Sequence, residues 1–279
     1  MLSLKIGEYI KSITKSLSDA GIASPALDAE VIAAHFLDME RHQLLTWNDR
    51  LLTDTEKSVI DKAVKRRLKF EPVAYITGVK EFYSLEFTVN KDVLIPRPET
   101  ELLVDMAIYW AGLNSSVLDL CTGSGAIAVA LKHSRGDLDV CASDVSARAL
   151  KVAEKNAERL LGKRRISFFE GDLFAPFKNE KFDLIVSNPP YVAGDLKGEL
   201  QKELDYEPHN ALYAEDDGRA VIRRIIEEAP SYLEEKGVLL LEIGSNHREF
   251  IEDEGKRRGF TVSVLNDYAG LPRVATLKK

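Results

Sequence analysis

An Asn-Pro-Pro-Tyr sequence at residues 188–191 directly follows an apolar run of strand character, and its residue types are suited to chemistry. Two consecutive prolines lack amide donors and cannot continue a central strand, so the chain must turn out of the sheet. In an open α/β sheet, ligands bind beyond the carboxyl ends of the strands, so we expect this turn to enter a binding site. Asn188 offers a side-chain carbonyl there, and Tyr191 offers a flat aromatic wall. Pro189 and Pro190 hold an exposed backbone carbonyl in a stiff turn. These groups suit a planar NH2 group, held by acceptors and stacked on a ring.

Asn-Pro-Pro alone is equally compatible with an ordinary strand-ending turn. With the tyrosine, the tetrapeptide resembles the catalytic loop of methyltransferases that act on planar amino groups. Their acceptors are adenine N6 in DNA, guanine N2 in RNA, or the side-chain amide of glutamine. The resemblance predicts a reaction type and leaves the substrate open.

A glycine turn, Thr122-Gly123-Ser124-Gly125, joins a predicted buried strand that ends at Cys121 to a predicted helix. Glycines in such a turn let the backbone approach a ligand at the positive end of a helix. Dinucleotide enzymes use G-x-G-x-x-G here and tolerate a final alanine, which this chain has. The turn alone therefore leaves a dinucleotide and S-adenosylmethionine both open.

Two acidic positions follow the next predicted strands. Asp144 ends the second strand, and a carboxylate at that place can hold the two ribose hydroxyls that NAD and S-adenosylmethionine both present. Asp172 and Leu173 follow the third strand, where Asp172 could accept from an adenine amino group or belong to an ordinary turn. The predicted cofactor-binding residues are Cys121, Thr122, Gly123, Ser124, Gly125, Asp144, Asp172, Leu173 and Asn188.

The front of the chain has helical character. Apolar residues recur at helical spacing over 2–17, and Ser24 with Pro25 predicts the start of a second helix. Thr53 and Glu56 form a capping box for a third. We predict a helical substrate-docking domain over 1–70, a linker with a β-hairpin over 71–95, and a methyltransferase domain over 96–279.

The linker alternates aromatic and β-branched residues, which predicts a hairpin that joins the two domains, with extended chain at 73–76 and at 82–89 and Gly78 between them. Prolines stiffen the segment that follows, and Thr100 is placed to cap the next helix. Arg97, Glu99 and Glu101 either frame the mouth of the site or belong to a structural linker.

The remaining strands and helices alternate as in an α/β fold, with a polar loop at 192–214 long enough to act as a lid. Asn156, on a predicted helix, is interpreted as a surface or helix-packing residue. The five histidines have no metal-ligand spacing, and no metal site is predicted.

Composition indicates a globular protein: 45% of the 279 residues are hydrophobic and 30% are charged. No apolar run approaches ~20 residues, and no signal peptide is recognised, so neither a membrane span nor secretion is expected. Cys121 and Cys141 are interpreted as buried thiols of a reducing cytoplasm. The net charge is −7, whereas binding to duplex nucleic acid normally requires an excess of basic residues. Stable nucleic-acid binding is therefore not expected. We expect a monomer.

The ordered set of motifs resembles the bacterial release factor glutamine methyltransferases, from about residue 71 to the C-terminus. The motifs are Pro96-Arg97-Pro98-Glu99-Thr100-Glu101, the run from Asp119 to Ile127, Asp144, Asp172-Leu173, the run from Phe182 to Tyr191, Glu207-Pro208 and Asp267-Tyr268-Ala269-Gly270. The resemblance implies a class I, Rossmann-like, seven-stranded α/β sheet with helices on both faces and one antiparallel strand near the edge, supplied by the final hairpin. It implies S-adenosylmethionine as cofactor, held by residues 121–125, Asp144 and Leu173. It also implies methylation of N5 of the glutamine in the Gly-Gly-Gln motif of class 1 peptide chain release factors, with Asn188 to Tyr191 holding that glutamine.

One residue departs from the family pattern, because Cys121 stands where glycine is usual, and we predict an ordinary negative φ there. An amide nitrogen is a poor nucleophile because its lone pair is shared with the carbonyl. Our hypothesis is that the Asn188 side-chain oxygen and the Pro189 backbone carbonyl accept the two amide protons. Two other functions remain open: a DNA adenine N6-methyltransferase, and a non-catalytic cofactor-binding adaptor of the translation machinery.

Overall fold

The computed structural model describes residues 4–196 and 201–279. The chain divides into two compact units. We call Met1–Val79 with Lys202–Tyr206 the helical unit, and Lys80–Gln201 with Glu207–Lys279 the sheet unit. Leu2, predicted to begin the first helix, and positions 197–200 of the predicted lid lie outside the described residues.

In its described residues, the helical unit contains the three predicted helices and two shorter α-helices. Its helices are α1 (Ile6–Asp19), α2 (Pro25–Leu37), α3 (Arg41–Thr46), α4 (Asp54–Arg67) and α5 (Val73–Thr77). The predicted capping box is confirmed, because the Glu56 amide donates to Thr53 Oγ1 (3.2 Å) while the Thr53 amide donates to Glu56 Oε2 (2.8 Å). Proline at the first position of α2 is also confirmed.

The extended chain predicted at residues 73–76 is wrong. These residues begin the short helix α5, which the Pro72 carbonyl starts by accepting from the amides of Tyr75 (3.0 Å) and Ile76 (3.1 Å). Ile76 is buried in the core of the helical unit. Burial has therefore overridden the strand preference of a β-branched and aromatic sequence.

The sheet unit has a seven-stranded sheet, as predicted. Its elements are β1 (Val79–Phe82), β2 (Leu85–Thr88), α6 (Glu101–Trp110), β3 (Ser116–Leu120), α7 (Ala126–Ser134), β4 (Asp139–Asp144), α8 (Ala147–Leu161), β5 (Ser167–Glu170), β6 (Phe182–Ser187), β7 (Val192–Ala193), α9 (His209–Leu212), β8 (Tyr213–Ala214), α10 (Glu215–Gly218), α11 (Ala220–Tyr232), β9 (Leu233–Glu242), α12 (Arg248–Arg257), β10 (Thr261–Asn266) and β11 (Pro272–Lys278). The β1–β2 hairpin lies outside the large sheet. A hairpin in the linker is confirmed, but its first strand is Val79–Phe82 and not residues 73–76.

The strand order of the large sheet is β10-β11-β9-β6-β3-β4-β5. Strands β9, β6, β3, β4 and β5 pair in parallel, whereas β11 runs antiparallel to both β9 and β10. The final hairpin therefore supplies the one antiparallel strand next to the edge, as expected. Residues Val117 to Leu120 of β3 are all buried, and all but Asp119 are apolar.

The parallel strands end at one edge of the sheet. Leu120 of β3 pairs with Ser143 of β4 and with Ser187 of β6, and Ser187 in turn pairs with Leu241 of β9. The segments that follow these strands are consequently neighbours, and this edge is where an α/β sheet binds ligands.

Asn156 is not a surface residue, which corrects one of the two predicted roles. Its side chain is 0% exposed and joins helix α8 to two other segments. Asn156 Nδ2 donates to the carbonyls of Thr88 (3.0 Å) and Ser124 (2.9 Å), and Oδ1 accepts from the Thr88 amide (2.8 Å). Asn156 thus ties the hairpin to the glycine turn.

Among the helices of the described residues, none has the length and apolar character that a membrane crossing requires.

Candidate active site

A cavity lies at the carboxyl ends of the parallel strands of the sheet unit. Seven of the predicted site residues line it: Cys121, Gly123, Asp144, Asp172, Leu173, Asn188 and Pro190. Thr122, Ser124, Gly125, Pro189 and Tyr191 do not line it. Sequence reasoning missed the other lining residues, which are Leu94, Ser143, Val145, Gly171, Asn210, Ala211, Val221 and Arg224. Most of them carry no motif of their own, so no local pattern pointed to them.

Cys121 has a φ of +60°, so the predicted negative φ is wrong. The backbone leaves β3 here, and the Thr122 amide donates to the Ser143 carbonyl of β4 (3.0 Å). This pairing sets the backbone conformation, although an L residue with a side chain disfavours it. Burial, followed by the charge of Asp144, raises the pKa of the Cys121 thiol to about 12, so the thiol stays neutral.

Asp119 of β3 supports the glycine turn through hydrogen bonds. It is 0% exposed, and its Oδ2 accepts from Thr122 Oγ1 (2.6 Å) and from the Ala128 amide (3.1 Å). Its Oδ1 has no hydrogen-bond partner among the described residues, and burial raises the pKa of Asp119 to about 7. The hydrogen bond from Thr122 to Asp119 therefore holds the turn in place.

The glycines of the turn have two different uses. A Cβ built at Gly123 meets no protein atom within 4 Å, so the Gly123 backbone faces open space in the cavity. A Cβ at Gly125 would lie 3.0 Å from the Ala153 Cβ, so Gly125 lets the turn pack closely on helix α8. The two positions have φ of +56° and +79°, a region that glycine adopts freely.

The Asp144 carboxylate accepts hydrogen bonds from the backbone amides of Gly123 and Ser146, each at 2.9 Å. Burial raises the pKa of Asp144, and the backbone amides around the carboxylate oppose that rise. Each carboxylate oxygen accepts one amide and keeps a second lone pair, so the group still has acceptor sites for hydroxyls.

Asp172 and Leu173 lie in the turn that follows β5. Asp172 is exposed and forms a bidentate ion pair with Arg224 (2.8 and 3.2 Å). Leu173 is buried and has a φ of +48°, the second strained residue that lines the cavity. Strain of this kind persists where the surrounding structure enforces it, and it often marks functional sites.

Asn188 is held through its NH2 group. Its Nδ2 donates to Thr100 Oγ1 at 3.2 Å, so the side-chain oxygen is not used in that contact. Thr100 precedes α6 but makes no side-chain cap hydrogen bond, so the predicted capping role is wrong. The hydroxyl contacts Asn188 instead.

Tyr191 is held at both of its ends. Its hydroxyl donates to Glu242 Oε1 (3.0 Å), and its ring packs edge-on against His247, with 6.5 Å between ring centroids. Burial, followed by the charge of Glu242, raises the pKa of Tyr191, so the hydroxyl remains a donor. The carbonyl of Tyr191 approaches Gly218 so closely that a Cβ there would lie 2.1 Å from it.

Charged side chains fasten the segment before α6 and the first residue of that helix. The Glu207 carboxylate pairs with Arg97 and accepts from the Ile95 amide (3.0 Å). Glu101 accepts from the Tyr83 amide (2.8 Å). Arg97 and Glu101 are thus engaged with the chain itself, and their role toward a ligand stays a prediction.

The comparisons with known proteins agree along the whole chain. The family described as PrmC N-terminal domain matches residues 8–78, and that described as methyltransferase small domain matches residues 99–213. The chain is 40% identical over 277 residues to the release factor glutamine methyltransferase of Leptospira interrogans, which covers 97% of this chain and 96% of that protein. The chain belongs to the release factor glutamine methyltransferase family. This confirms the resemblance on which the sequence interpretation rested.

Other similar proteins place this family in a wider fold. A bifunctional methyltransferase of Rickettsia felis is 35% identical over 304 residues, and the match spans 98% of this chain but 58% of that protein. A solved methyltransferase from Pyrococcus furiosus has a TM-score of 0.54 at 17% identity, covering 81% of this chain and 98% of that one. At that identity the similarity shows the fold, which is the class I, Rossmann-like fold that was predicted.

The methyl donor of a release factor glutamine methyltransferase of this fold is S-adenosylmethionine, and the cavity suits it. Gly123 leaves open space beside its backbone, and Asp144 keeps acceptor sites for ribose hydroxyls. The side chain of Leu173 gives the same cavity an apolar wall.

Proposed function

We propose that this chain transfers a methyl group from S-adenosylmethionine to N5 of the glutamine in the Gly-Gly-Gln motif of class 1 peptide chain release factors, and so modulates translation termination. The observation that carries the proposal is the state of Asn188. Its NH2 group is bound to Thr100, so its oxygen is left to accept from a substrate at the edge of the cavity.

The acceptors of the turn address the weak nucleophilicity of an amide nitrogen. Because the nitrogen shares its lone pair with the carbonyl, positive charge grows on it as a bond to carbon forms. The Asn188 oxygen and the Pro189 carbonyl accept the two N–H groups and stabilise that charge. By analogy with oxyanion-hole donors, removal of one such preorganised dipole costs roughly 3 to 4 kcal/mol of the barrier.

The remaining residues provide position rather than proton transfer. Asp144, the Gly123 backbone and Leu173 hold the donor, which when bound supplies a methyl group on a positively charged sulfur. Tyr191 gives the amide plane a wall that Glu242 holds in place. Holding nitrogen and methyl carbon in line adds a proximity contribution. No strong base is needed, because the amide proton can leave to water after the methyl group arrives.

The partner and the setting belong to the same proposal. The substrate is a release factor, taken up by a monomer in the cytoplasm, and the domain over residues 1–70 docks it. The net charge of −7 supports a protein substrate over a stable complex with nucleic acid.

Labelled S-adenosylmethionine tests the proposal against both alternatives. The protein is incubated with the labelled donor and either a class 1 release factor or an adenine-containing DNA duplex. We expect label on the release factor and none on DNA. Label on DNA alone would favour the adenine methyltransferase, and label on neither substrate would favour the non-catalytic adaptor.

A further inference from the structure

Asn156 of α8 is a buried amide whose two N–H groups and oxygen are all engaged with backbone. It is 0% exposed. Its Nδ2 donates to the carbonyls of Ser124 (2.9 Å) and Thr88 (3.0 Å), and its Oδ1 accepts from the Thr88 amide (2.8 Å). Because only the side-chain oxygen can accept from a backbone N–H, the chemistry of Thr88 fixes which way the Asn156 amide points.

The Ser124 carbonyl is available to Asn156 because of the way in which α7 begins. In an α-helix each amide donates to the carbonyl four residues earlier, so the Ala128 amide would be the regular partner of Ser124. The Ala128 amide donates to Asp119 Oδ2 instead (3.1 Å). Ser124 is 3% exposed, and a buried carbonyl without a partner is costly. Asn156 supplies that partner.

The face of α8 that carries Asn156 holds the glycine turn at a second point. Ala153 lies three residues earlier and therefore on the same face, and it packs on Gly125, where a Cβ would lie 3.0 Å from the Ala153 Cβ. Arg159 lies three residues later and donates to the Glu86 carbonyl of β2. Of these three residues, Asn156 is the one that contacts both the turn and β2.

The two segments that Asn156 joins both lead to the cavity. Gly123 lines the cavity and directly precedes Ser124. Leu94 also lines it, and the chain reaches Leu94 soon after β2 ends at Thr88. Neither Asn156 nor Thr88 lines the cavity. Asn156 is therefore placed to act on a bound ligand through other residues.

We infer that Asn156 is a positioning residue of the methyl-donor site, which fixes the glycine turn through the Ser124 carbonyl and couples that turn to the end of β2. A turn that is already held in one conformation loses little further entropy when a ligand binds, so Asn156 strengthens donor binding. The inference rests on S-adenosylmethionine binding in the cavity, as the proposed function does, but not on which amide is methylated.

The variant Asn156→Asp removes the two N–H donors with almost no change of volume. One oxygen keeps the contact with the Thr88 amide, and the other faces the Ser124 and Thr88 carbonyls, which it repels. We expect the dissociation constant for S-adenosylmethionine, measured by calorimetry without a release factor, to rise by about 10- to 100-fold, by analogy with outer-shell partners of metal ligands. An unchanged dissociation constant would overturn the inference.

Two control variants separate this role from a purely structural one. Arg159→Ala removes a contact of the same helix with the same strand and leaves the turn untouched, so the dissociation constant should stay within about twofold. Glu254→Gln weakens a buried ion pair with Arg223 (3.2 Å) elsewhere in the sheet unit, and it should lower stability toward urea without changing donor affinity. A dissociation constant that rises equally in Asn156→Asp and Glu254→Gln would show a general effect of destabilisation and would overturn the inference.

Hydrogen exchange of the unmodified protein decides the coupling even if Asn156→Asp folds poorly. Because the Thr88 amide donates to Asn156, saturating S-adenosylmethionine should slow its exchange by about fivefold or more. The control is the Ser116 amide at the amino end of β3, which also donates to a side-chain oxygen (Asp183 Oδ2, 2.8 Å) and should change by less than about twofold. No change at Thr88, or the same change at both amides, would overturn the inference.

These measurements are independent of the proposed substrate, because they use the donor alone. A release factor that stays unlabelled would refute the proposed function and leave the role of Asn156 to be decided by donor affinity and exchange. An unmodified protein that binds no S-adenosylmethionine would refute the donor site and this inference with it.

Discussion

Asp28 of the helical unit and Glu242 of the sheet unit are both buried carboxylates, 6% and 1% exposed, but their surroundings differ. Asp28 Oδ2 pairs with Arg67 Nε (2.7 Å), and Oδ1 accepts from Ser24 Oγ (2.8 Å). Arg67 also pairs with Glu203 (2.8 Å). Glu242 Oε1 accepts from the Tyr191 hydroxyl (3.0 Å), and its Oε2 has no partner in the described residues.

The difference separates charge that serves the fold from charge that serves the site. A buried charge with a complete set of partners holds elements together, and removing one partner is destabilising. A buried carboxylate without an ion pair costs stability, and groups perturbed in this way cluster at functional sites.

Backbone strain occurs in both units. In the helical unit, non-glycine residues with positive φ end helices or follow them, such as Asp38 (+53°) after α2. In the sheet unit, Cys121 and Leu173 adopt positive φ while lining the cavity, and six other non-glycine residues with positive φ among the described residues do not line it. Strain is therefore a feature of the candidate site but is not confined to it.

The largest effect on stability should come from breaking the paired charge of the helical unit. Asp28→Ala leaves Arg67 buried with an incomplete set of partners, so the free energy of unfolding should fall by about 3 kcal/mol. Urea unfolding followed by Trp47 fluorescence, in a Trp110→Phe background, measures the change. Asp49→Ala removes the partner of an exposed pair with Lys5 and should cost less than about 1 kcal/mol. Equal costs for the two variants would contradict the comparison.

The next effect is a pH dependence of stability caused by Asp119. Burial raises the pKa of Asp119 from 3.8 to about 7, so the folded chain binds a proton that the unfolded chain has released in that range. The contribution of this proton to the free energy of unfolding is fully present below the pKa of Asp119 in the unfolded chain, and it is lost as the pH rises through 7. The loss approaches ~1.4 kcal/mol per pH unit.

Asp119→Asn removes this titration and keeps an oxygen acceptor for Thr122 and Ala128. Between pH 5 and pH 7, the free energy of unfolding of the unmodified protein should fall by about 2 kcal/mol relative to that of the variant. Urea titrations at the two pH values provide the measurement. Stability curves that stay parallel would show that Asp119 is ionised in the fold.

A smaller effect is expected at Gly218, which supports the substrate turn by contact. A Cβ there would collide with the Tyr191 carbonyl, so Gly218→Ala should displace the turn and lower kcat by about tenfold, or ~1.4 kcal/mol. Gly259→Ala is the control, since Gly259 has a similar φ (+84°) with no atom within 4 Å of the new Cβ. It should lower stability by about 1 kcal/mol and leave kcat unchanged. Equal kcat for the two variants would show that Gly218 does not support the substrate turn.

The smallest effect is expected at Cys121. Cys121→Gly relieves strain at a φ of +60° and loses the packing of a small side chain, so the free energy of unfolding should change by less than about 1 kcal/mol. Denaturant unfolding measures it. A loss above that limit would show that packing of the Cys121 side chain stabilises the fold by more than its backbone strain destabilises it.

The parts of the fold that were predictable are those set by local sequence. The Thr53–Glu56 capping box, the apolar run of β3 and the stop at Pro189 each act through residues close in the chain. The predicted site residues that line the cavity share one property: each ends a strand that pairs in parallel or lies within three residues after its end.

The parts that sequence did not predict depend on distant contacts. Cys121 adopts its conformation because Thr122 pairs with Ser143, and α5 forms because Ile76 is buried in a core. Glu242 contacts Tyr191, which is 51 residues away in the chain, only because β9 brings the two side chains together. No local pattern carries that information.

The most direct test of the central claim is a paired measurement on Asn188→Ala: kcat on a release factor, and the dissociation constant for S-adenosylmethionine by calorimetry. Because the claim gives Asn188 the task of accepting from the glutamine amide, kcat should fall by roughly 100- to 1,000-fold while the dissociation constant stays within about twofold. A dissociation constant that rises as much as kcat falls would contradict the account, since Asn188 would then belong to the donor site and not to the glutamine site.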